Sequence, residues 1–596
     1  MNAPDTSLKA VARLPLPQGK LPLDYVIRGL IADRLMDPVI GERMLSVKSR
    51  GTRVHPLALV ANMNLRTPDA AHELLDLERL TEWLAEKAKL PYHHIDPLRV
   101  DFARVVDTFS AKYATAYSIL PLAVTGSEVT VGTSEPFLTE WQPEIERLTR
   151  RSIRRVLVNP LDIERYTVEF YKLAQSIKNA AKNNAGVSPV GNFESLVELG
   201  AKVDAENAHI VTIVDWLLQY AFDQRASDIH MEPKREQGVV RFRIDGVLQE
   251  MKGPPKRLQP SIISRLKLMA EVSLAEKRIP QDGRIQARTG GRDIDLRVSV
   301  LPTVYGESIV MRILDKEGLK LGLPELGFFA DDQAKFQGLI SGSDGVFLVT
   351  GPTGSGKSTT LYSALNYINK PDRKIITVED PVEYQMAGIN QVQVKRDVGM
   401  TFAAALRAML RQAPNIVMIG EIRDLETAEI AINAALTGHM VFSTLHTNDS
   451  VSAVTRLVDI GVKPFLVSAA LRGALAQRLV RRNCQACAAP YKPTSKELYS
   501  IGMSEQDLAN ATPMKGAGCP KCGERGYKGR RGVFELFVIT EEIQEMIYGG
   551  SNLVELRRKA REAGMRTMRE DGQRKVASGM TTIEEVLGAT VADDVI

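Results

Sequence analysis

The stretch "GVFLVTGPTGSGKSTT", residues 345–360, decides the fold of the chain around it. An apolar run ends in residues 351–358, which satisfy the pattern G-x-x-x-x-G-K-[ST] at every specified position. The glycines let successive backbone N–H groups turn toward phosphate oxygens, at a helix N-terminus whose dipole favours anions. The stretch therefore predicts a phosphate-binding loop between a buried strand and a helix.

The residues of this loop predict a bound ATP with Mg²⁺. Lys357 supplies a point charge to the phosphates, and Ser358 offers a hydroxyl to the magnesium ion. The candidate nucleotide-binding residues are Gly351, Pro352, Thr353, Gly354, Ser355, Gly356, Lys357, Ser358 and Thr359.

The pattern around the loop is that of an α/β protein. Beyond residue 327, apolar stretches alternate with helical ones, which is typical of a parallel sheet covered by helices. The predicted strands are "GVFLVTG", "KIITVED", "NIVMIGE" and "HMVFSTL". We expect helical segments after about residue 540.

Four further regions precede this one. We expect a helical region, an α+β module, a flexible linker of low hydrophobicity, and an α+β domain with a β-hairpin around Asp245-Gly246. With the P-loop domain, the predicted bounds are 1–95, 96–175, 176–199, 200–320 and 321–596.

Composition places the 596-residue chain among ordinary globular proteins. It is 44% hydrophobic and 25% charged, without a long apolar run or a secretory signal, so we expect a cytoplasmic location. A net charge of +5 is mild for this length and argues neither for nor against a nucleic-acid partner. We expect no direct contact with nucleic acid.

Acidic residues follow two of the predicted strands. Glu421 ends "NIVMIGE", while Glu379, Asp380 and Glu383 lie in "IITVEDPVEY". Hydrolysis of a phosphoanhydride needs carboxylates that organise the metal and orient water, and ligands lie at the carboxyl edge of such sheets. The alternative role for each residue is a helix cap.

His446 follows the strand "HMVFSTL", in the sequence "LHTNDS". A histidine at the end of a strand, followed by Thr, Asn and Asp, is well placed to sense a terminal phosphate. The alternative is a histidine that only supports the fold.

The four cysteines form two CxxC pairs, Cys484 with Cys487 and Cys519 with Cys522. Four thiolates suit a closed, tetrahedral Zn²⁺ site, and free thiols are the alternative. The 31 residues between the pairs contain few large apolar side chains, so we expect this lobe to depend on the metal for its order. The nearby "RLVRRN" and "YKGRRG" make it basic, either for an acidic partner or for solvation.

The P-loop, "TVEDPVEY", "GEIRDLETAEIAINAALTGH" and "STLHTNDS" resemble, in this order, the Walker A, Asp box, Walker B and His box of secretion ATPases. Upstream, "SDIHMEP", "RFRIDGVL", "EKRIPQDGRI" and "RVSVLPTVYGESIVMRIL" resemble a second block of that superfamily. The family is the type II secretion and type IV pilus assembly ATPases, the GspE/PilB group.

This resemblance implies an α/β multidomain chain. A RecA-like P-loop motor would follow a PAS-like α+β domain and an N-terminal helical plus α+β region. It implies a homo-hexameric ATPase at the cytoplasmic face of the inner membrane, acting through a membrane platform protein. Glu421 becomes the Walker B acid, and Arg297 and Arg312 become arginines that reach phosphate.

Several functions share these motifs. Retraction ATPases lack the cysteine insertion, and conjugation-type ATPases lack "EKRIPQDGRI". A nucleotide-sensing scaffold without turnover would lack Lys357 or Glu421, and both are present. Between type II secretion and pilus assembly we favour pilus assembly. The stretch "LDYVIRGLIADRL" departs from the "RLG-x-x-L" pattern of relatives that bind cyclic di-GMP, which counts against control by that dinucleotide.

Overall fold

The computed structural model divides the chain into two compact units, and its α/β multidomain class is the predicted one. The first unit holds residues 1–292 and 296–313, and the second holds residues 293–295 and 314–596. The structure describes residues 15–46, 54–68, 74–96, 100, 102–183, 208–236, 238–251, 256–289, 292–314, 321–509 and 511–590. No helix in these ranges is long and apolar enough to cross a bilayer.

The first unit begins with helices around an apolar core, as predicted. Trp83 lies in this core, and its indole Nε1 donates a hydrogen bond of 2.6 Å to Asp33. Asp76 caps the last helix by accepting the N–H of Arg79. The helices are Leu23–Ala32, Pro38–Ser46, Pro56–Ala61 and Leu77–Ala88.

A small α+β module follows. Its sheet contains β1 (Ile119–Val124), β2 (Glu128–Thr133) and β3 (Ser152–Leu157), with β1 antiparallel and β3 parallel to β2. Trp141 is fully buried against this sheet. The helices are Phe102–Val105, Ala111–Tyr117, Gln142–Thr149 and Pro160–Asn183.

The helix Pro160–Asn183 corrects the predicted start of the linker. It continues through residues 176–183, which the sequence pattern places in the linker 176–199. Its apolar face buries Ile163, Phe170 and Leu173, which extends the helical periodicity toward the polar stretch. The remainder of the predicted linker lies outside the described residues.

The second α+β part of this unit has a six-stranded sheet in the order β6-β5-β4-β9-β8-β7. The predicted hairpin joins β5 to β6, with Asp245 and Gly246 at φ 50° and 89°, as a tight hairpin turn requires. The strands are β4 (Ala226–Pro233), β5 (Gly238–Ile244), β6 (Val247–Met251), β7 (Gln281–Thr289), β8 (Arg292–Thr303) and β9 (Gly306–Leu314). The helices are Ala208–Asp223 and Gln259–Met269.

The second unit is built on a seven-stranded sheet in the order β12-β11-β13-β14-β10-β15-β18. All its pairs are parallel except β15 with β18, which are antiparallel. The sheet strands are β10 (Gly345–Thr350), β11 (Ile375–Glu379), β12 (Ile389–Gln393), β13 (Ile416–Ile419), β14 (Met440–Leu445), β15 (Leu471–Asn483) and β18 (Tyr527–Val538). The four predicted strands are confirmed, whereas the sequence displays β18 only as a basic stretch.

Helices cover both faces of this sheet, and its strands β10, β11, β13 and β14 are buried on both sides. The helices are Leu323–Leu326, Ala330–Ile340, Lys357–Ile368, Phe402–Leu410, Leu425–Leu436, Ser452–Ile460, Pro464–Ala470, Glu541–Tyr548, Leu553–Glu562, Met568–Ala577 and Ile583–Thr590. The last four confirm the predicted helical C-terminal part.

The cysteine lobe has more apolar packing than its composition predicts, and its dependence on a metal stays a prediction. It contains the helix Ser495–Ser500 and a short antiparallel pair, β16 (Ala488–Pro490) and β17 (Met514–Gly516). Its few apolar residues form a core with the last two helices of the chain. The buried members are Leu498, Ile501, Met503, Val576, Ile583 and Val586. The lobe therefore has packing of its own besides any metal.

One of these helices, Met568–Ala577, contains a buried ion pair. Lys575 is fully buried, is paired with Asp571, and lies 5.0 Å from the ring centre of Phe534. Asp571 also accepts the backbone N–H of Phe534 on β18, at 2.8 Å. The pair thereby joins the helix Met568–Ala577 to the edge of the sheet.

We expect Lys575→Met to destabilise the protein by about 3–5 kcal/mol, because it leaves the carboxylate of Asp571 buried without its cation. Asp571→Asn combined with Lys575→Met should recover most of that loss. The exposed pair Arg558 with Glu562 is the matched control, and Arg558→Met should cost about 0.5 kcal/mol or less. Thermal unfolding of the wild type, Lys575→Met, the double variant and Arg558→Met measures the order of their stabilities. A double variant no more stable than Lys575→Met would contradict the prediction.

Candidate functional site

The predicted phosphate-binding loop joins β10 to the helix Lys357–Ile368. Gly351, Gly354 and Gly356 have φ angles of 143°, 80° and 90°, a region that favours glycine. A Cβ at Gly351 would lie 2.6 Å from the carbonyl oxygen of Gln477, so this position also lacks space for a side chain. The backbone therefore favours glycine at these three positions, of which the pattern specifies Gly351 and Gly356.

The side chain of Gln477, on β15, fixes the loop from the neighbouring strand. Its Nε2 donates a hydrogen bond of 2.6 Å to the carbonyl oxygen of Ser355, and its Oε1 accepts one of 2.8 Å from the Thr360 hydroxyl. Gln477 is 1% exposed, so these hydrogen bonds satisfy an amide removed from water. Nothing in the sequence around Gln477 indicated this contact.

Lys357 folds back over the start of the loop. Its Nζ donates to the carbonyl oxygens of Gly351, at 2.6 Å, and Pro352, at 3.1 Å. Burial lowers the pKa of Lys357 to about 8, with the positive charge of Arg478 adding to the effect and Glu421 opposing it. A site that disfavours the charged lysine when no anion is present is suited to binding an anion, because the anion stabilises that charge.

Glu421 and His446 lie close enough to this lysine for their charges to interact with it, and their roles in catalysis stay predictions. Glu421 follows β13, is paired with Arg423, and has its Oε2 3.8 Å from Nε2 of His446. Burial lowers the pKa of His446, and the charge of Lys357 contributes. The hydroxyl of Thr444, two residues before His446, donates to the carbonyl oxygen of Gly420 at 2.7 Å, which holds the two strand ends together.

The residues of the predicted Asp box have different surroundings. Glu379 is 4% exposed and accepts hydrogen bonds from the hydroxyls of Tyr362 and Thr377 and from the side-chain amide of Gln391. These contacts give Glu379 a role in joining β11 to β12 and to the helix Lys357–Ile368. Its catalytic role stays a prediction.

Asp380 and Glu383 lie after the buried end of β11. Asp380 accepts a hydrogen bond of 3.1 Å from Nη2 of Arg396, and the side chain of Arg396 is largely exposed. The backbone N–H of Glu383 donates to the hydroxyl oxygen of Tyr362 at 3.3 Å. A catalytic role for either carboxylate stays a prediction.

Arg297 and Arg312 belong to the first unit, on β8 and β9. Nε of Arg312 donates to the buried Asp228 at 3.1 Å, while 57% of the Arg312 side chain is exposed. An arginine oriented by a carboxylate and still largely open to solvent can bind an incoming anion. Their contact with phosphate stays a prediction.

The four cysteines meet in one cluster. Their sulfur atoms all lie within 4.8 Å of one another, and the Cys484–Cys519 and Cys487–Cys522 pairs are each 3.8 Å apart. Tetrahedral zinc with Zn–S distances of about 2.3 Å separates its sulfur ligands by about 3.8 Å. Three of the six sulfur pairs, at 3.7–3.8 Å, therefore have the spacing that such an ion would impose.

Comparison with known families matches two parts of the chain. Residues 203–588 match the model of the type II/IV secretion system protein family, and residues 88–177 match the MshEN domain. The first match contains the phosphate-binding loop, Glu421, His446 and all four cysteines.

Individual relatives agree with this match. The type IV pilus assembly ATPase TfpB of Acinetobacter baylyi is 41% identical over 538 residues, which cover 89% of this chain and 92% of that protein. The type II secretion system protein HxcR of Pseudomonas aeruginosa is 50% identical over 412 residues, which cover 67% of this chain and 84% of that protein. A crystal structure of the pilus retraction motor PilT with bound ADP covers 63% of this chain and 96% of that chain, at 28% identity and a TM-score of 0.46.

The environment of Lys357 predicts a pH dependence of nucleotide affinity. Below about pH 8 the lysine is charged with or without nucleotide, so affinity should be flat with pH. Above it the free protein loses the proton, and binding of the phosphates restores that proton, so affinity should fall by up to about tenfold per pH unit.

Calorimetric titration with ATPγS, in buffers of different ionisation enthalpy, measures this proton uptake. The terminal phosphate, with a second pKa near 6, is already ionised in this range and contributes little. Affinity that stayed constant between pH 8 and 10, with no proton uptake, would contradict the prediction.

Proposed function

The chain belongs to the type II/IV secretion system protein family and is an ATPase of that family, and from this premise we propose that it powers the assembly of a type IV pilus. The observation that carries the choice of system is the extent of similarity to a pilus assembly ATPase. That similarity spans 89% of this chain, slightly more than the 83% matched by the type II secretion system protein E of Dickeya dadantii, and the motor motifs are common to both systems.

The site supports hydrolysis by residues with separate tasks. The loop 351–356 presents backbone N–H groups to the phosphates, Lys357 neutralises their charge, and Ser358 offers a ligand to the Mg²⁺ that accompanies ATP. Glu421, at the end of β13, is the carboxylate we assign to orienting the attacking water. His446, next to it, would sense the terminal phosphate.

We propose that the working form is a homo-hexamer in the cytoplasm, docked on a platform protein of the inner membrane. We propose that Arg297 and Arg312 then reach the phosphates of a neighbouring site. Turnover would depend on assembly, because each site would need an arginine from its neighbour. The resemblance to motors of this family supports this arrangement. No nucleic-acid partner is proposed.

Type II secretion is the second candidate function. Its support is the 50% identity with a type II secretion protein over 67% of this chain. A conjugation-type motor and a scaffold without turnover have less support, since the chain has Lys357, Glu421 and the tetracysteine lobe together.

Glu421→Gln tests the catalytic assignment and the choice of system. It keeps volume and hydrogen bonding but removes the anion, so we expect ATP turnover to fall about 10²-fold or more while nucleotide binding persists. Glu426→Gln, an exposed carboxylate nearby, is the matched control and should hydrolyse ATP normally.

The same variants should be placed in the source bacterium after deletion of its own gene. We expect wild-type and Glu426→Gln chains to restore surface pili, seen by electron microscopy, and Glu421→Gln to fail. Normal pili in the deletion strain, with loss of a secreted enzyme from the medium, would overturn pilus assembly in favour of type II secretion.

We also propose that Cys484, Cys487, Cys519 and Cys522 hold one structural Zn²⁺. Four sulfur ligands close the tetrahedral shell and leave no position for a catalytic water. The spacing of the sulfurs, the donors in reach of Cys522 such as the Gly526 N–H at 3.2 Å, and the sharp turn at Gly523 support such a site.

Cys484→Ser should therefore reduce bound zinc from about one to well under one per chain by elemental analysis. Because the lobe shares its core with the last two helices, protease cleavage should increase there as well as within residues 484–522. Ser495→Ala, in the same lobe, is the control and should keep its zinc. Wild-type protein purified without chelator but lacking zinc would contradict the proposal.

A further inference from the structure

Two cations meet at the first glycine of the phosphate-binding loop. Nζ of Lys357 lies 2.6 Å from the carbonyl oxygen of Gly351. Nη1 of Arg478 lies 3.3 Å from the point that a Cβ on Gly351 would occupy, and the charge of Arg478 contributes to lowering the pKa of Lys357. Neighbouring like charges cost free energy, and an anion that contacts both relieves that cost. The pair therefore marks a place for negative charge.

The sheet explains why Arg478 reaches the loop. Strand β15 runs parallel to β10, with Ala476 opposite Thr350, so the next residues of β15 pass beside the loop that follows Thr350. Side chains alternate along a strand, so Gln477 and Arg478 point to opposite faces. Gln477 supports the loop, and Arg478 approaches its first residue from the other face.

Arg478 also contacts the loop that carries His446. Its Nη2 donates to the backbone oxygen of Asn448 at 3.4 Å and to the Asn448 side-chain oxygen at 3.3 Å. Both hydrogen bonds are longer than the usual 2.9–3.0 Å. A phosphate oxygen is a stronger acceptor for a guanidinium than a neutral amide, and the bond to it is shorter.

The same loop is tied to the strand before the glycines. The backbone N–H of Thr447 donates to Oγ1 of Thr350 at 2.8 Å. Asn448, the next residue, thus lies close to the point where β10 ends and the phosphate-binding loop begins. An arginine that exchanges Asn448 for phosphate would change the contacts of the loop holding His446.

We propose that Arg478 contacts phosphate during the ATPase reaction. Its guanidinium gives up the hydrogen bonds to Asn448 and binds the terminal phosphate of ATP. The proposal rests on ATP binding at this loop. It gives a function to an arginine that the sequence displays only as the first member of the basic run "RLVRRN". The competing role is purely structural: Arg478 would hold the 446–449 loop in place whether or not nucleotide is bound.

The test compares Arg478→Gln and Arg478→Lys with Arg482→Gln, four residues along the same strand. Arg482 lies near Arg531, which is a like charge, so its loss should be harmless. Calorimetric titration with ATPγS and with ADP, in the full-length protein, separates the contribution of the terminal phosphate.

We expect Arg478→Gln to weaken ATPγS binding by about tenfold or more and ADP binding by less than about threefold, in line with a lost charged hydrogen bond. Arg478→Lys should recover part of the affinity, since it keeps the charge without the planar fork. The kcat for ATP should be lowest for Arg478→Gln and intermediate for Arg478→Lys. Arg482→Gln should match the wild type.

Equal weakening of ATPγS and ADP, or no weakening together with a lowered Tm, would overturn the proposal and leave Arg478 a structural residue. If Arg478→Gln does not fold, the ATPγS-to-ADP affinity ratio of Arg478→Lys decides, and an unchanged ratio overturns the proposal. Wild-type protein that bound nucleotide without hydrolysing it would contradict the ATPase assignment, while the ATPγS and ADP comparison would still decide the role of Arg478.

Discussion

The conformation of the phosphate-binding loop depends on two hydrogen bonds of the Gln477 side chain. One amide group joins strand β15 to the loop at Ser355 and to the following helix at Thr360. The loop has little side-chain mass of its own, so its shape is set by such neighbours. Because β15 runs on to Asn483, directly before Cys484, one strand supports both the phosphate loop and the cysteine cluster.

Charge around the loop is arranged for an anion that arrives from solvent. The charge of Arg478 disfavours the cation of Lys357 and that of Glu421 favours it, while Glu421 is paired with Arg423 and lies 3.8 Å from His446. Bound phosphates would stabilise the two cations and leave Glu421 near the reacting end. Glu379 differs, because three donors inside the protein already satisfy its carboxylate.

Patterns that are contiguous in sequence were sufficient to predict the glycine-rich loop between β10 and the next helix, the position of Glu421 after β13, and the two CxxC pairs, whereas the catalytic role of Glu421 stays a prediction. Residues that reach the site through strand pairing were not predictable in this way: Gln477 contacts a loop more than a hundred positions earlier, through the register of β15 against β10. Strand β18 was missed because its basic first half hides an apolar second half that is buried in the sheet. The helix Pro160–Asn183 continues into the predicted linker because polar composition does not by itself stop helical periodicity.

The core shared by the cysteine lobe and the last two helices has an evolutionary consequence. Leu498 and Ile501 are covered by Val576 and Val586, so neither segment has a complete interior alone. A lineage that discarded the lobe would expose an apolar face on its own C-terminus, and one that shortened the C-terminus would uncover the lobe. The two segments, separated in sequence, should therefore be inherited as one unit, and substitutions in them should covary.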